Sequence, residues 1–250
     1  NNVIAWRLRG QANLFMTNYE QAIVDPKKSK SLSDEPDTRV ALARAYLRVG
    51  RQDDAVTELE NAIDQPQAPL EARMLLEEIY LKLGKKDSLR KFYEQTLGKF
   101  ADSVFWYNRA AEFAITEKDF SSAEQLYKQA CLKNKKNTRD DFDALDGYLH
   151  TLVLANKLDA VLQESGKYTD GAFAPVAFFR MAEAKLKLGD KATAIQYCRK
   201  AVDKTGANEM LASEILQRMY SLLGAQEAMK YCEEKLQADP ASLVANLAMF

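Results

Sequence analysis

The sequence predicts an all-α chain, an α-solenoid of stacked antiparallel helix pairs. Three observations carry this expectation. The first is an internal period: Tyr46 and Tyr80 are 34 residues apart, and so are Gly50 and Gly84. The triplets Ala55, Leu89, Ala123, then Leu59, Tyr93, Tyr127, then Ala62, Thr96, Ala130 repeat the same step. Agreement at several independent slots marks a repeat and decides the architecture. The second is texture: Leu42, Ala45, Tyr46 and Val49 recur at three- and four-residue spacing, and the pattern restarts after Gly50 with Ala55, Val56, Leu59, Ala62 and Ile63. These are two amphipathic helices broken at a glycine. The third is composition: 47% apolar and 28% charged residues suit a folded chain, while ten Gly and six Pro are too few for a turn-rich sandwich or barrel.

The units follow in order. The first starts near residue 3, marked by Trp6, Gly10, Tyr19, Ala22 and Ile23. Pro26 falls where its second helix should continue, and an interior proline costs ~3 kcal/mol. A kink or an early end is therefore expected there, before the polar stretch from Lys27 to Asp37. The second unit starts near 36. Pro66 and Pro69 separate it from the third, near 70. The fourth starts near 104 and carries Asp119, Phe120, Ala123 and Glu124; Phe105, Trp106 and Tyr107 compete for its leading aromatic slot. The fifth starts near 142, which is 142 − 104 = 38 residues on, with extra residues between Asn134 and Asp141. Its second helix should end early, between Ser165 and Gly171, so this unit reads as a hinge, an insertion point or plain drift. The sixth starts near 175 and the seventh near 210, with Tyr220, Gly224, Ala228 and Pro240. Residues 242–250 read as the first helix of an eighth unit. Small residues such as Ala43, Ala111 and Ala182 let helices approach closely, and Tyr46, Tyr80, Tyr127 and Tyr220 should fill the gaps.

One helix pair cannot bury both of its faces, so each unit needs a neighbour. The whole of 1–250 is thus expected to be a single solenoid. The start at Asn1 without methionine or signal segment, and the end at Phe250 inside an apolar run, lead to the expectation of a fragment of a longer chain.

The same sequence carries little chemistry. Lys and Arg number 35 against 36 Asp and Glu, so no field favours a nucleic acid backbone. No apolar run reaches the ~18 residues needed to span a bilayer. One histidine and three cysteines without a CxxC pair are too few for a His- or Cys-rich metal site, and no phosphate loop, dinucleotide fingerprint or nucleophile elbow is present. No cofactor and no catalytic residue are expected. Adjacent carboxylates such as Glu77-Glu78 and Glu233-Glu234 diverge by about 100° on a helix and read as solvated faces, as do the lysines of 133–136. Cys131, Cys198 and Cys232 read as small buried hydrophobes. Equivalent slots in successive units lie ~10 Å apart, beyond the ~7 Å that a disulfide tolerates, so no bond between Cys198 and Cys232 is expected. Unpaired cysteines and the lack of a signal segment slightly favour the cytoplasm.

Residues 41–56, with Ala41, Leu42, Ala45, Tyr46, Gly50 and Ala55, and residues 181–195, with Met181, Ala182, Leu186, Gly189, Ala192 and Ile195, resemble the tetratricopeptide repeat family. The resemblance covers nearly the whole chain, with about seven copies and a truncated eighth. It implies a right-handed superhelix whose first helices line an inner groove for a partner protein or peptide. Carried onto this sequence, the groove takes Val40, Arg44, Leu47 and Arg48 from the second unit and Met74, Glu78, Leu81 and Lys82 from the third. The fourth contributes Phe105, Asn108, Glu112 and Ile115; the fifth Asp146 and His150; the sixth Phe179, Glu183, Leu186 and Lys187; the seventh Glu214 and Arg218. Glu78, Glu112 and Glu183 stand where family members that clamp a peptide's terminal carboxylate use Asn or a base, which argues against such a clamp.

The implied function is a non-catalytic scaffold that binds a protein segment within a larger assembly, with Phe105, Phe179, Arg44 and Arg218 as anchors. Arg44→Glu and Arg218→Glu are expected to weaken partner capture without unfolding the chain. Two other readings stand beside it: the regulatory or substrate-presenting arm of an enzyme whose catalytic domain lies outside the fragment, and self-association through an exposed apolar face.

Overall fold

In the computed structural model, residues 2–133 and 137–238 are described. Most of the lysine cluster, Pro240 and the expected eighth first helix lie outside them. The described residues form seven helix pairs and no strand. The first helices of the pairs are α1 (Val3–Phe15), α3 (Pro36–Arg48), α5 (Leu70–Lys82), α7 (Val104–Thr116), α9 (Arg139–Leu154), α11 (Ala174–Lys187) and α13 (Glu209–Leu223). The second helices are α2 (Tyr19–Leu32), α4 (Gln52–Ile63), α6 (Lys86–Lys99), α8 (Phe120–Lys133), α10 (Leu158–Ser165), α12 (Lys191–Asp203) and α14 (Ala225–Ala238).

The chain divides into two compact units, Asn1–Gln95 and Thr96–Phe250. In the first, α1 packs on α2, α2 on α3, α3 on α4 and α4 on α5, and α3 also touches both α1 and α5. In the second, successive helices from α7 to α14 pack in the same way, and α9 and α11 each touch the first helices on both sides. First helices therefore form one layer of each unit. The periodic slots are the core. Ala55, Leu89 and Ala123 are fully buried, as are Ala62, Thr96 and Ala130, and Leu59, Tyr93 and Tyr127 fill the space beside them.

Helix ends explain how much of the boundary pattern glycine can reveal. Gly50, Gly84 and Gly189 adopt positive φ just past α3, α5 and α11. That left-handed residue closes the last turn, and glycine does it without a Cβ penalty. The same position past α1, α7 and α9 is held by Thr17, Lys118 and Asn156, each near φ 60°. The stop is geometric in all six, but only three spell it in glycine.

Pro26 does not end α2. The helix runs through it to Leu32, and the proline is buried. The reason lies across the pair. A Cβ placed on Gly10 of α1 would come within 2.5 Å of the Pro26 ring, so the missing side chain at residue 10 is what seats the proline. Polar ties hold α2 on both sides of it. Asp25 is buried and accepts from Arg9 Nε at 2.7 Å, Arg9 Nη2 at 2.6 Å and Asn13 Nδ2 at 3.0 Å. The Ser29 hydroxyl donates to the Val3 carbonyl at 2.8 Å. A local penalty is met by tertiary packing that no single-helix rule contains.

The fifth pair departs from the expected boundaries at its start. α9 begins at Arg139 rather than near 142, because the Asp141 carboxylate accepts the Thr138 N–H at 2.8 Å and so caps an earlier turn. α10 is only eight residues long and ends at Ser165, followed by a 3-10 turn over Gly166–Tyr168. Aromatic rings fill the space beside the short helix: Phe173 lies 4.7 Å from Phe142 and 6.1 Å from Tyr168, centroid to centroid. In the fourth pair Trp106 takes the buried aromatic slot and Phe105 stands half-exposed beside it, edge-on at 5.0 Å. In the seventh pair Tyr220 does not fill a gap; it is exposed, and Met219, one residue earlier, is buried in its place. The thiols of Cys131, Cys198 and Cys232 are free, and burial pushes those of Cys131 and Cys198 up to about 12, so they stay protonated.

Candidate functional site

Each unit carries its own set of side chains on the layer of first helices. In the first unit, α1, α3 and α5 enclose an open cavity of about 640 Å³. Five of the residues expected in the groove line it: Arg44, Leu47 and Arg48 from α3, Glu78 and Lys82 from α5. They meet because 44 and 78, like 48 and 82, are one period apart and occupy the same slot on successive first helices. Leu47, Leu75 and Ile79 give the cavity an apolar lining, and Phe15, 85% exposed, projects at the end of α1. Arg44 is paired with Glu71 across the α3–α5 contact. Met74 is exposed on α5 but does not line the cavity.

In the second unit the first helices hold a connected ionic network. Asp146 of α9 accepts from Arg180 Nε at 2.6 Å and from Arg218 Nη1 at 2.9 Å. Arg180 also reaches Glu183 at 2.5 Å and His150 Nδ1 at 2.8 Å. Arg218 continues to Glu214 at 2.9 Å, and Arg139 bridges Glu214 at 3.2 Å and Asp143 at 3.0 Å. Burial pushes the Asp146 carboxyl up, but the two guanidiniums outweigh it and hold the group below its ordinary value. Burial and then Arg180 push His150 down, against the pull of Glu183 and Asp146. Its Nδ1 accepts from Arg180, so the neutral ring carries its proton on Nε2. Burial raises Asp143, with Arg139 opposing.

Around this network lie a cavity of about 190 Å³ whose lining includes Arg139, Phe142, Asp143, Met210, Glu214 and Arg218, and a shallower trough along Phe179, Arg180, Glu183, Gln217 and Arg218. Phe179 is buried, with the Arg180 and Arg218 guanidiniums each 5.6 Å from its ring centroid. It supports the arginines from below rather than standing out as an anchor. Lys187 is spent on the Val153 carbonyl at 3.2 Å. Asn108 is buried and donates to the Asp140 carbonyl at 2.8 Å, while Glu112 is exposed on α7, 4.0 Å from Arg109.

The structure therefore corrects one expectation about Arg218. Arg218→Glu would remove a partner from Asp146 and set a further carboxylate beside Asp146 and Glu214, so it would destabilise the unit as well as change its surface. Arg44 is 42% exposed and pairs with an equally exposed Glu71. The sequence reading also passed over Arg180, the hub of the network. A signal for it was present: 146, 180 and 214 are successive steps of 34, carrying Asp, Arg and Glu. Alternating charge in one slot of a repeat places opposite charges side by side.

No group of His, Cys, Asp and Glu among the described residues is arranged to hold a metal ion. No described helix is long and apolar enough to cross a membrane.

Residues 176–204 match the tetratricopeptide repeat family model. A comparison with curated proteins gives no match. Among solved structures, the C-terminal part of a tetratricopeptide repeat-containing protein from Cytophaga hutchinsonii is similar over 94% of this chain and 96% of its own length, with 15% identity and a TM-score of 0.57. The type IV pilus biogenesis factor PilW is similar over 86% of this chain and 98% of its own, with 18% identity and a TM-score of 0.47. A chain of the APC/C hetero-tetramer Cut9–Hcn1 is similar over 87% of this chain, with 16% identity and a TM-score of 0.45; the similarity spans only 42% of that chain's length. Residues 176–204 therefore carry a tetratricopeptide repeat, and the described residues share their fold of stacked helix pairs with the Cytophaga protein.

Proposed function

We propose that the chain is a non-catalytic protein-interaction scaffold that holds a segment of a partner protein against its layer of first helices, within a larger assembly. The observation that carries this reading is the open cavity of about 640 Å³ on α1, α3 and α5, with an apolar lining and a rim of Arg44, Arg48, Glu78 and Lys82. An apolar floor with a charged rim suits an extended protein segment, whose backbone and side chains present both kinds of surface. The network around His150 supports a structural use of the second unit, because His150 Nδ1 is occupied by Arg180.

The test is site-specific photo-crosslinking in the native host. A photoreactive residue at Arg48 or at Gln217, both on first helices, should form adducts with a discrete protein. The same residue at Thr57 of α4 or Lys128 of α8, exposed on second helices, should not. Adducts that come equally from positions 57 and 128, or only from them, would overturn the proposal.

A further inference from the structure

We infer that the α1–α3–α5 cavity selects an acidic protein segment, one whose carboxylates are interleaved with aliphatic or aromatic side chains. The inference rests on the scaffold reading and names the chemistry of its partner. It starts from the charges that line the cavity. Arg44 is neutralised by Glu71. Arg48 and Lys82 are exposed on α3 and α5 and form no ion pair among the described residues. Glu78 precedes Lys82 by four residues, the spacing at which exposed Glu and Lys pair along a helix, yet no bridge forms between them. Two cations against one carboxylate leave the rim with a net positive charge and its donors uncommitted.

The second unit supplies the contrast. There Arg139, Arg180 and Arg218 are each satisfied by carboxylates of the same network, so they have less to offer an incoming anion. Arg48 in the first unit keeps its planar donor fork, which fits a carboxylate with two parallel bonds. Leu47, Leu75 and Ile79 line the same cavity, and so does Phe15, which is exposed at the end of α1. An acid alone would leave that surface wet, and an apolar segment alone would leave the cations without partners. A segment alternating the two satisfies both at once.

The test uses the full chain and a fluorescein-labelled nonapeptide pool with positions drawn from Asp, Glu, Leu and Phe, read by anisotropy. Matched pools replace the acids by Asn and Gln, or by Lys and Arg, and a uridine oligonucleotide serves as an alternative polyanion. The acidic pool should bind at least about ten-fold more tightly than either matched pool and should weaken as salt rises, because exposed charges are screened. Arg48→Glu with Lys82→Glu should lose that preference, and the milder Arg48→Gln with Lys82→Gln should reduce it; both positions are exposed and unbridged, so circular dichroism should be unchanged. Equal binding of the amide pool, unchanged binding by the double variants, or full competition by the oligonucleotide would overturn the inference. If the acidic preference fails while crosslinks from position 48 persist, the partner chemistry alone is wrong. If the crosslinks fail as well, the scaffold reading falls with it.

Discussion

Gly147→Ala should destabilise the second unit sharply, although alanine is the better helix former. A Cβ at residue 147 would come within 2.2 Å of Tyr127 Cζ, 2.4 Å of its Cε1 and 2.7 Å of its hydroxyl oxygen. Tyr127 is 3% exposed and packs in the core with Leu145, Leu149 and Leu152, so moving its ring disturbs that packing. Overpacking of this kind costs about 1–3 kcal/mol, and helix propensity returns only about 0.5–1 kcal/mol. The net effect is a loss at residue 147. Gly98 lies inside α6, and a methyl group there would meet nothing within 4 Å, so the same substitution should be a gain of a few tenths to about 1 kcal/mol. Opposite signs for one chemical change make the comparison decisive. Stacked pairs open locally, so hydrogen exchange should report the loss first in α8 and α9. Tyr127→Leu in the Gly147→Ala background should cost less than the two changes summed. If Gly147→Ala is as mild as Gly98→Ala, the close approach of α8 and α9 is wrong.

The contact between Gly147 and Tyr127 also shows where a sequence stops being legible. Tyr127 belongs to the periodic set and declares itself, but Gly147 sits in a helix without any positive-φ demand and reads as a weak point. The pair has meaning only once α8 lies on α9. Pro26 and Gly10 tell the same story: each looks like a defect in its own helix, and together they are a fit. The period itself is strongly written, because it appears in many slots at once; α3, α5 and α7 begin at Pro36, Leu70 and Val104, at 34-residue steps. It also brought Arg44, Arg48, Glu78 and Lys82 to one cavity. The ionic network was harder to read. Phe179, adjacent to Arg180, looked like the natural anchor, and which of two neighbouring residues faces the core turns on about 100° of helix rotation. Trp106 against Phe105 and Met219 against Tyr220 are decided by the same small angle.

Asp146→Asn should produce a large electrostatic loss in the second unit. The carboxylate accepts from two arginines and is mostly buried, with 15% of its side chain exposed against 9% for Arg180. Removing one partner of a buried pair costs about 3–5 kcal/mol, because the remaining charge stays desolvated. Asparagine keeps one acceptor but turns an amide donor toward a guanidinium, so it does not spare the site. Asp146→Leu combined with Arg180→Met should cost less than the two single changes summed, since the pair's coupling is lost only once; Glu183 loses Arg180, and Arg218 keeps Glu214. The pH dependence carries the same signature. His150 has a lowered pKa in the folded chain, so as pH falls through its unfolded value of about 6.5 the unfolded chain takes up a proton that the folded chain resists, and stability declines. His150→Gln should flatten that part of the profile. Asp146 is also lowered; its contribution is present above its unfolded value of about 3.9 and is lost as pH falls through the lower folded value. In Asp146→Asn that contribution to the acid limb should be missing, leaving those of other lowered carboxylates such as Asp25, while the limb near pH 6 changes shape because Arg180 then faces His150 without its main counter-charge. Urea titrations of the three proteins from pH 3 to 7 would check this, and parallel curves for wild type and both variants would show that the network does not hold these helices together.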